Sequence, residues 1–149
     1  MQNSIKLLKA QIRKSIERDK AYEERLKSIV WKVWPWPDRW LSVLVGVVAL
    51  LDFGSTYLLL EFIGNVFAYE GGILAEWALR LGGMRWLFLA DLLVATTLIS
   101  TAFAIRYLFS KLGYIGYGRA FFIVLQLPYV LITAGAIVNN ALLTSLLWK

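Results

Sequence analysis

The sequence contains no cysteine and no histidine. Their absence excludes disulfide bonds, thiolate nucleophiles, metal sites built from Cys and His, histidine-ligated haem and histidine general bases. Methionine occurs only twice and proline three times in the 149 residues. We therefore expect no catalytic residue, no metal ion and no cofactor, and most of the remaining features bear on architecture.

Charged residues are few and unevenly distributed. They make up 17% of the chain, whereas hydrophobic residues make up 59%, above the usual fraction for soluble domains. Ten of the sixteen Lys and Arg, and five of the ten acids, precede residue 40. Because the two signs alternate along a helical pattern, we expect no nucleic-acid binding, and attraction to anionic lipid headgroups explains the positive excess better.

Residues 4 to about 34 are predicted to form a helix with a basic polar side. Its apolar residues are Ile5, Leu8, Ile12, Ile16, Tyr22, Leu26, Ile29 and Val33. The segment has neither the apolar core nor the cleavage site of a signal peptide. Two interpretations stay open: an amphipathic helix on the cytoplasmic headgroups, or a protruding helix that packs against a partner subunit.

A tryptophan-rich turn follows this helix. Its tryptophans are Trp31, Trp34, Trp36 and Trp40, and two prolines lie among them. Indole rings favour headgroup depth, and proline breaks the helix, so this segment is predicted to anchor the chain at the interface. An aromatic cage for a cationic ligand is the alternative. Residues 1–40 thus form one unit, consisting of a basic amphipathic helix and an anchor.

Three long apolar segments follow, at about 41–63, 86–109 and 120–147. Each is long enough to cross the roughly 30 Å hydrocarbon layer as a helix. The fold class is therefore predicted to be all-α, with residues 41–149 forming an integral membrane three-helix bundle. A short amphipathic helix is expected at 73–81, between glycine pairs, and a Gly/Tyr turn at 112–118.

The distribution of Lys and Arg predicts the orientation. The N-terminal segment and the second loop are basic, whereas the first loop and the tail carry only Arg80, Arg85 and Lys149. Because basic loops stay in the cytoplasm, we expect a multi-pass cell-membrane protein with its N terminus in the cytoplasm and its C terminus outside.

This topology converts sequence positions into depths. Asp52 is expected about 18 Å from the inner surface and Asp91 about 8 Å below the outer one, which are nearly equal levels. Hydroxyl and amide side chains fall in the same outer half. The predicted intramembrane polar cluster consists of Asp52, Ser55, Thr56, Asp91, Asn139 and Asn140.

Two interpretations of this cluster stay open. Neighbouring carboxylates in a low dielectric would share a proton or hold a cation among oxygen ligands. Alternatively, each acid is neutral, or pairs with a neighbour such as Arg85 or with another subunit, and only joins helices. Intramembrane aspartyl proteolysis is not expected, because Asp52 follows Leu51 and Asp91 follows Ala90, outside the motifs of that family.

Residues 52–56 read Asp-x-x-x-Thr, Glu70 follows the first span, and Asn139 or Asn140 lies late in the third. In these features, residues 41–147 resemble a group of small prokaryotic three-span membrane proteins of uncharacterised function. The group has a further Asn before the Asp, an Asn-Pro after the Glu, and a basic residue in the second span. The chain departs from it at Ala49, Gly71-Gly72 and Asp91. The resemblance implies the topology but no activity.

The sequence favours a non-catalytic accessory subunit of a larger membrane complex, because it offers packing faces and anchors rather than catalytic side chains. Its expected partners are membrane lipids and either other membrane subunits or further copies of the chain. The alternatives are ion or proton translocation through Asp52 and Asp91, and binding of a lipid or quinone.

Overall fold

The computed structural model describes residues 2–62 and 73–147, and within these ranges all regular structure is helical. Glu70 and Gly71-Gly72, which bear on the family resemblance, lie outside the described residues. The elements are α1 (Gln2–Val33), α2 (Asp38–Tyr57), a π-helical turn (Leu58–Phe62), α3 (Ile73–Gly82), α4 (Met84–Lys111) and α5 (Ile115–Leu147).

Three of these helices are long and apolar enough to cross a membrane. The segments are Asp38–Leu60, Met84–Lys111 and Ile115–Leu146. This confirms the all-helical class and the three membrane-length segments. The short helix expected at 73–81 is present as α3, and a single residue, Gly83 with φ of 68°, separates it from α4.

The turn between α4 and α5 is shorter than predicted. Residues 115–118 belong to α5, so the expected Gly/Tyr turn is wrong beyond Tyr114. Gly113 adopts φ of 83°, its N–H bonds to the carbonyl of Ser110, and the N–H of Tyr114 bonds to the carbonyl of Phe109. These bonds form a Schellman motif, which closes α4 and lets α5 begin at once.

Helix α5 is the centre of the packing, because it contacts α1, α2 and α4. Phe122 is fully buried and meets the ring of Phe103 edge-on, with ring centroids 5.1 Å apart. On α4 the buried positions nearby are Ala95 and Ala102, whose small side chains let the helices approach closely.

Helix α1 contacts the rest of the bundle through its C-terminal half. Leu26, which belongs to the predicted apolar stripe, and Val30, which does not, lie against the core, and Glu23 contacts the start of α5. Positions 23, 26 and 30 share one helical face. Ile29 and Val33 of the stripe are exposed, and their contact with headgroups or a partner subunit stays a prediction.

Candidate functional site

Neutral polar side chains join α2 to α5 within the apolar segments. The Asn140 Nδ2 donates to Ser55 Oγ and to Thr56 Oγ1, both at 3.1 Å. Thr56 is buried, and Ser55 and Asn140 are half-buried. Ser55 Oγ also donates to the carbonyl of Asp52 at 2.9 Å. We call Ser55, Thr56 and Asn140 the amide cluster; its members satisfy one another's polar groups between two apolar helices.

The two predicted carboxylates, Asp52 and Asp91, are both half-buried, and both interact electrostatically with Tyr129 on α5. Asp52 also lies next to the amide cluster, because its carbonyl accepts from Ser55. Helices α2 and α4 meet through the rings of Phe53 and Phe88, whose centroids are 5.0 Å apart. Asn139, the sixth residue of the predicted cluster, is exposed.

Tyr129 is a member of this site that the sequence did not reveal. Its side chain lies close to that of the buried Thr133, one turn further along α5. Interfacial tyrosines lie at the ends of spans, whereas Tyr129 lies near the middle of α5. The position of Tyr129 in the middle of a predicted span could have indicated a polar contact, because a phenol within an apolar segment needs a hydrogen-bond partner.

A groove of ≈ 280 Å³ lies between α2 and α4 beside Asp91. Phe53, Phe88 and Gly46 line it, and Asp91 is the one charged side chain among the described residues that do. The structure therefore offers an apolar recess with a carboxylate at its wall. Among residues 2–62 and 73–147, no group of three or more Asp or Glu is placed to hold a metal ion.

A second cluster lies where the turn between α1 and α2 meets the start of α5. Asp38 is buried at 5% exposure, and its Oδ1 lies 2.9 Å from the Nε of Arg119, which is 6% exposed. The other carboxylate oxygen pairs with Arg106 of α4. We call Asp38, Arg106 and Arg119 the charged cluster. Asp38 also opens α2, where the helix dipole favours a negative charge.

The remaining groups of Arg119, which lies on α5, contact α1 and the turn between α1 and α2. Its Nη2 donates to the carbonyls of Trp34 and Trp36, each at 2.8 Å. The guanidinium lies over the ring of Trp31, with Cζ 3.5 Å from the ring centroid. Burying a guanidinium costs several kcal/mol unless it is paired, and the ion pair with Asp38, the two carbonyls and the Trp31 ring offset that cost, although Nε forms no hydrogen bond to any described residue.

Three of the tryptophans predicted to anchor the chain therefore also hold α5, through their contacts with Arg119. Trp31, Trp36 and Trp40 expose about half of their surface, while Trp34 is half-buried against Trp36, with ring centroids 5.0 Å apart. Their place in a lipid interface stays a prediction. The sequence signal for the tertiary role was Arg119 itself, which faces the same predicted membrane surface as Asp38.

Two further polar residues were missed by sequence reasoning. The Glu23 carboxylate accepts hydrogen bonds from the backbone N–H groups of Gly116 and Tyr117, the latter at 3.1 Å, and so caps α5 from a distant helix. A Cβ at Gly116 would lie 2.9 Å from this carboxylate, so glycine is needed for the approach. Gln126 is fully buried and accepts from Ser42 Oγ at 2.9 Å.

Comparison with known proteins gives no relative: no family model, curated protein or solved structure matches the chain. The resemblance to the three-span group therefore stays a prediction. Contacts among the described residues are the basis for a proposal on function.

Proposed function

We propose that the chain is a non-catalytic accessory subunit of a larger, multi-subunit membrane complex. Helices α2, α4 and α5 would hold it in the bilayer, with the N terminus in the cytoplasm and the C terminus outside. One observation carries the proposal: residues 11–22 of α1, which we call the arm, are exposed along their whole length. Among residues 11–33 of α1, Glu23 is the first that is not exposed, and it contacts the start of α5.

A helix that projects from its bundle needs a stabilising surface. Twelve residues extend about 18 Å, and an isolated helix of that length is marginal in water. The arm carries Ile12 and Ile16 one turn apart, at 52% and 49% exposure, beside the Arg13–Glu17 ion pair. Such an apolar pair with flanking charges is the kind of face that a partner helix covers.

Helix α4 offers a second packing face, within the membrane. In an 18-residue apolar stretch of α4, only 11% of the residues are buried, compared with 28% in the corresponding stretches of α2 and α5. The exposed residues include Thr97, Ser100 and Thr101, which share one helical face. Small hydroxyl side chains favour close helix–helix contact in lipid, which supports a partner helix at this face.

Purification from native membranes in a mild detergent tests this proposal. The tagged chain is expected to co-purify with a defined partner in a fixed ratio, measured by native gel and mass spectrometry. The double variant Ile12→Gln and Ile16→Gln is expected to lose that partner, because the apolar pair is removed.

The matched control is Lys14→Gln with Arg18→Gln, which changes two exposed polar residues of the same arm. This control is expected to keep the partner. A monodisperse monomer from native membranes, with no co-purifying protein, contradicts the proposal. Equal loss in both double variants contradicts a specific role for the isoleucines.

A second candidate function is ion or proton translocation, and the electrostatic interaction of both Asp52 and Asp91 with Tyr129 favours it. In proteoliposomes, Asp52→Asn would then reduce flux at least tenfold, whereas Glu17→Gln on the exposed arm would leave it unchanged. Flux that is the same in wild type and Asp52→Asn removes this candidate.

A further inference from the structure

A pocket of ≈ 400 Å³ lies beside the charged cluster, between the Trp/Pro turn, α4 and α5. Arg39, Arg106 and Arg119 line it, and Asp38 is the one carboxylate among the described lining residues. Three guanidinium groups and one carboxylate leave a formal charge of +2. The net field inside the pocket therefore favours an anion.

The three arginines are not equivalent. Arg119 is buried and held by Asp38 and by the carbonyls of the tryptophan turn, so it supplies a fixed positive charge. The Arg106 side chain is 36% exposed and uses one nitrogen for Asp38, and Arg39 is exposed. A guanidinium has five donors in a planar fork, so Arg39 and Arg106 can present further N–H groups to a phosphate.

The pocket also has an apolar side. Phe103 lines it and lies one turn before Arg106, further into the apolar part of α4. Exposed Trp31 and Pro37 form its walls. Free phosphate would match only the arginine side, whereas a phospholipid matches both, with its phosphate on the arginines and an acyl chain along Phe103.

We propose that this pocket binds the phosphate headgroup of an anionic phospholipid. Basic pockets between membrane helices near the cytoplasmic leaflet bind such headgroups, and the tryptophans around the pocket favour the same depth. The inference rests on the membrane-spanning arrangement of the proposed function, but it does not require the partner complex.

The test measures lipid retention by native mass spectrometry. The full-length chain is purified in detergent with equal amounts of phosphatidylglycerol and phosphatidylcholine. Wild type is expected to retain phosphatidylglycerol selectively. Arg39→Gln is expected to lower that retention about fivefold, since a basic group near an anionic surface contributes on this scale.

The matched control is Arg25→Gln, which removes the same charge from an exposed position on α1 outside the pocket. It is expected to retain phosphatidylglycerol like wild type. A second variant, Arg106→Lys, keeps the charge beside Asp38 but loses the planar fork, so lipid retention is expected to fall while helix content by circular dichroism stays unchanged.

Three results would overturn the proposal. One is equal retention of the two lipids by wild type. Another is an equal loss in Arg25→Gln and Arg39→Gln, because that indicates diffuse attraction. The third is complete displacement of the lipid by inorganic phosphate, which indicates a site for a free anion. Selective retention by a chain that purifies without any partner would support this site while contradicting the accessory-subunit proposal.

Discussion

The charged cluster and the amide cluster join the same two helices by different chemistry. At the start of α2, Asp38 pairs with Arg119, and backbone carbonyls take up further donors of the arginine. Further along, Asn140 joins α5 to the hydroxyls of Ser55 and Thr56 without any charge. Charged and neutral polar groups differ in desolvation cost, and each cluster lies where its cost is offset by the partners available.

The cost of burial explains the difference. A buried charge needs a nearly complete set of partners. The tryptophan turn supplies backbone carbonyls, which in a regular helix would accept hydrogen bonds within the helix. Ser55 and Thr56 lie near the end of α2 within a continuous helical run, where most carbonyls bond along the helix. There, an amide and two hydroxyls satisfy one another at a lower desolvation cost. We therefore expect the two clusters to differ in how much stability they contribute.

The largest expected effect is at the charged cluster. Arg119→Gln leaves Asp38 buried with Arg106 as its remaining arginine and removes the bonds to two carbonyls, so the free energy of unfolding should fall by about 3–5 kcal/mol. It is measured by denaturant titration in detergent. Arg80→Gln, whose pair with Glu76 is exposed, should change it by less than about 1 kcal/mol. Equal effects in the two variants would refute this ranking.

An intermediate effect is expected where α1 caps α5. Glu23→Gln removes the charge that faces the helix N-terminus, and should lower the unfolding free energy by about 0.5–2 kcal/mol. Hydrogen exchange at the amides of Gly116 and Tyr117 should become faster. The neighbouring Glu24→Gln, at an exposed position, is the control and should leave both amides as protected as in wild type.

The smallest effect is expected at the amide cluster. Asn140→Ala removes both hydrogen bonds to α2, and interhelical bonds of this kind contribute about 0.6 kcal/mol each in membranes. Denaturant titration should therefore show a loss of about 1 kcal/mol. The exposed neighbour provides the comparison, since Asn139→Ala should have no measurable effect. If Asn140→Ala lowered the unfolding free energy as much as Arg119→Gln, the burial of charge would not explain a difference in stability between the two clusters.

Much of the fold could be predicted because it depends on local patterns. Apolar runs predicted the three membrane-length helices, and the glycine pairs predicted the short helix α3 between them. Asn140 was named among the polar residues of the spans. Its partners, however, depend on which faces of α2 and α5 meet, and no local pattern contains that information.

The remaining features depend on contacts distant in sequence. Glu23 is 93 residues from the N–H of Gly116, so nothing near Glu23 marks it as a cap. The packing of α1 depends on Glu23 and Val30, neither of which belongs to its predicted apolar stripe. For Arg119 the sequence indicates only a basic loop, because its partners Asp38, Trp34 and Trp36 lie in another part of the chain.

The cap on α5 also has a consequence for the order of biogenesis. The donors that hold Glu23 belong to the third membrane-length helix, which the ribosome makes after α1, α2 and α4. Until that helix has formed, α1 lacks the contact that fixes its direction. A subunit that recognises α1 in this direction would therefore assemble only with chains whose synthesis has passed the start of α5, so that the contact would report the formation of that helix.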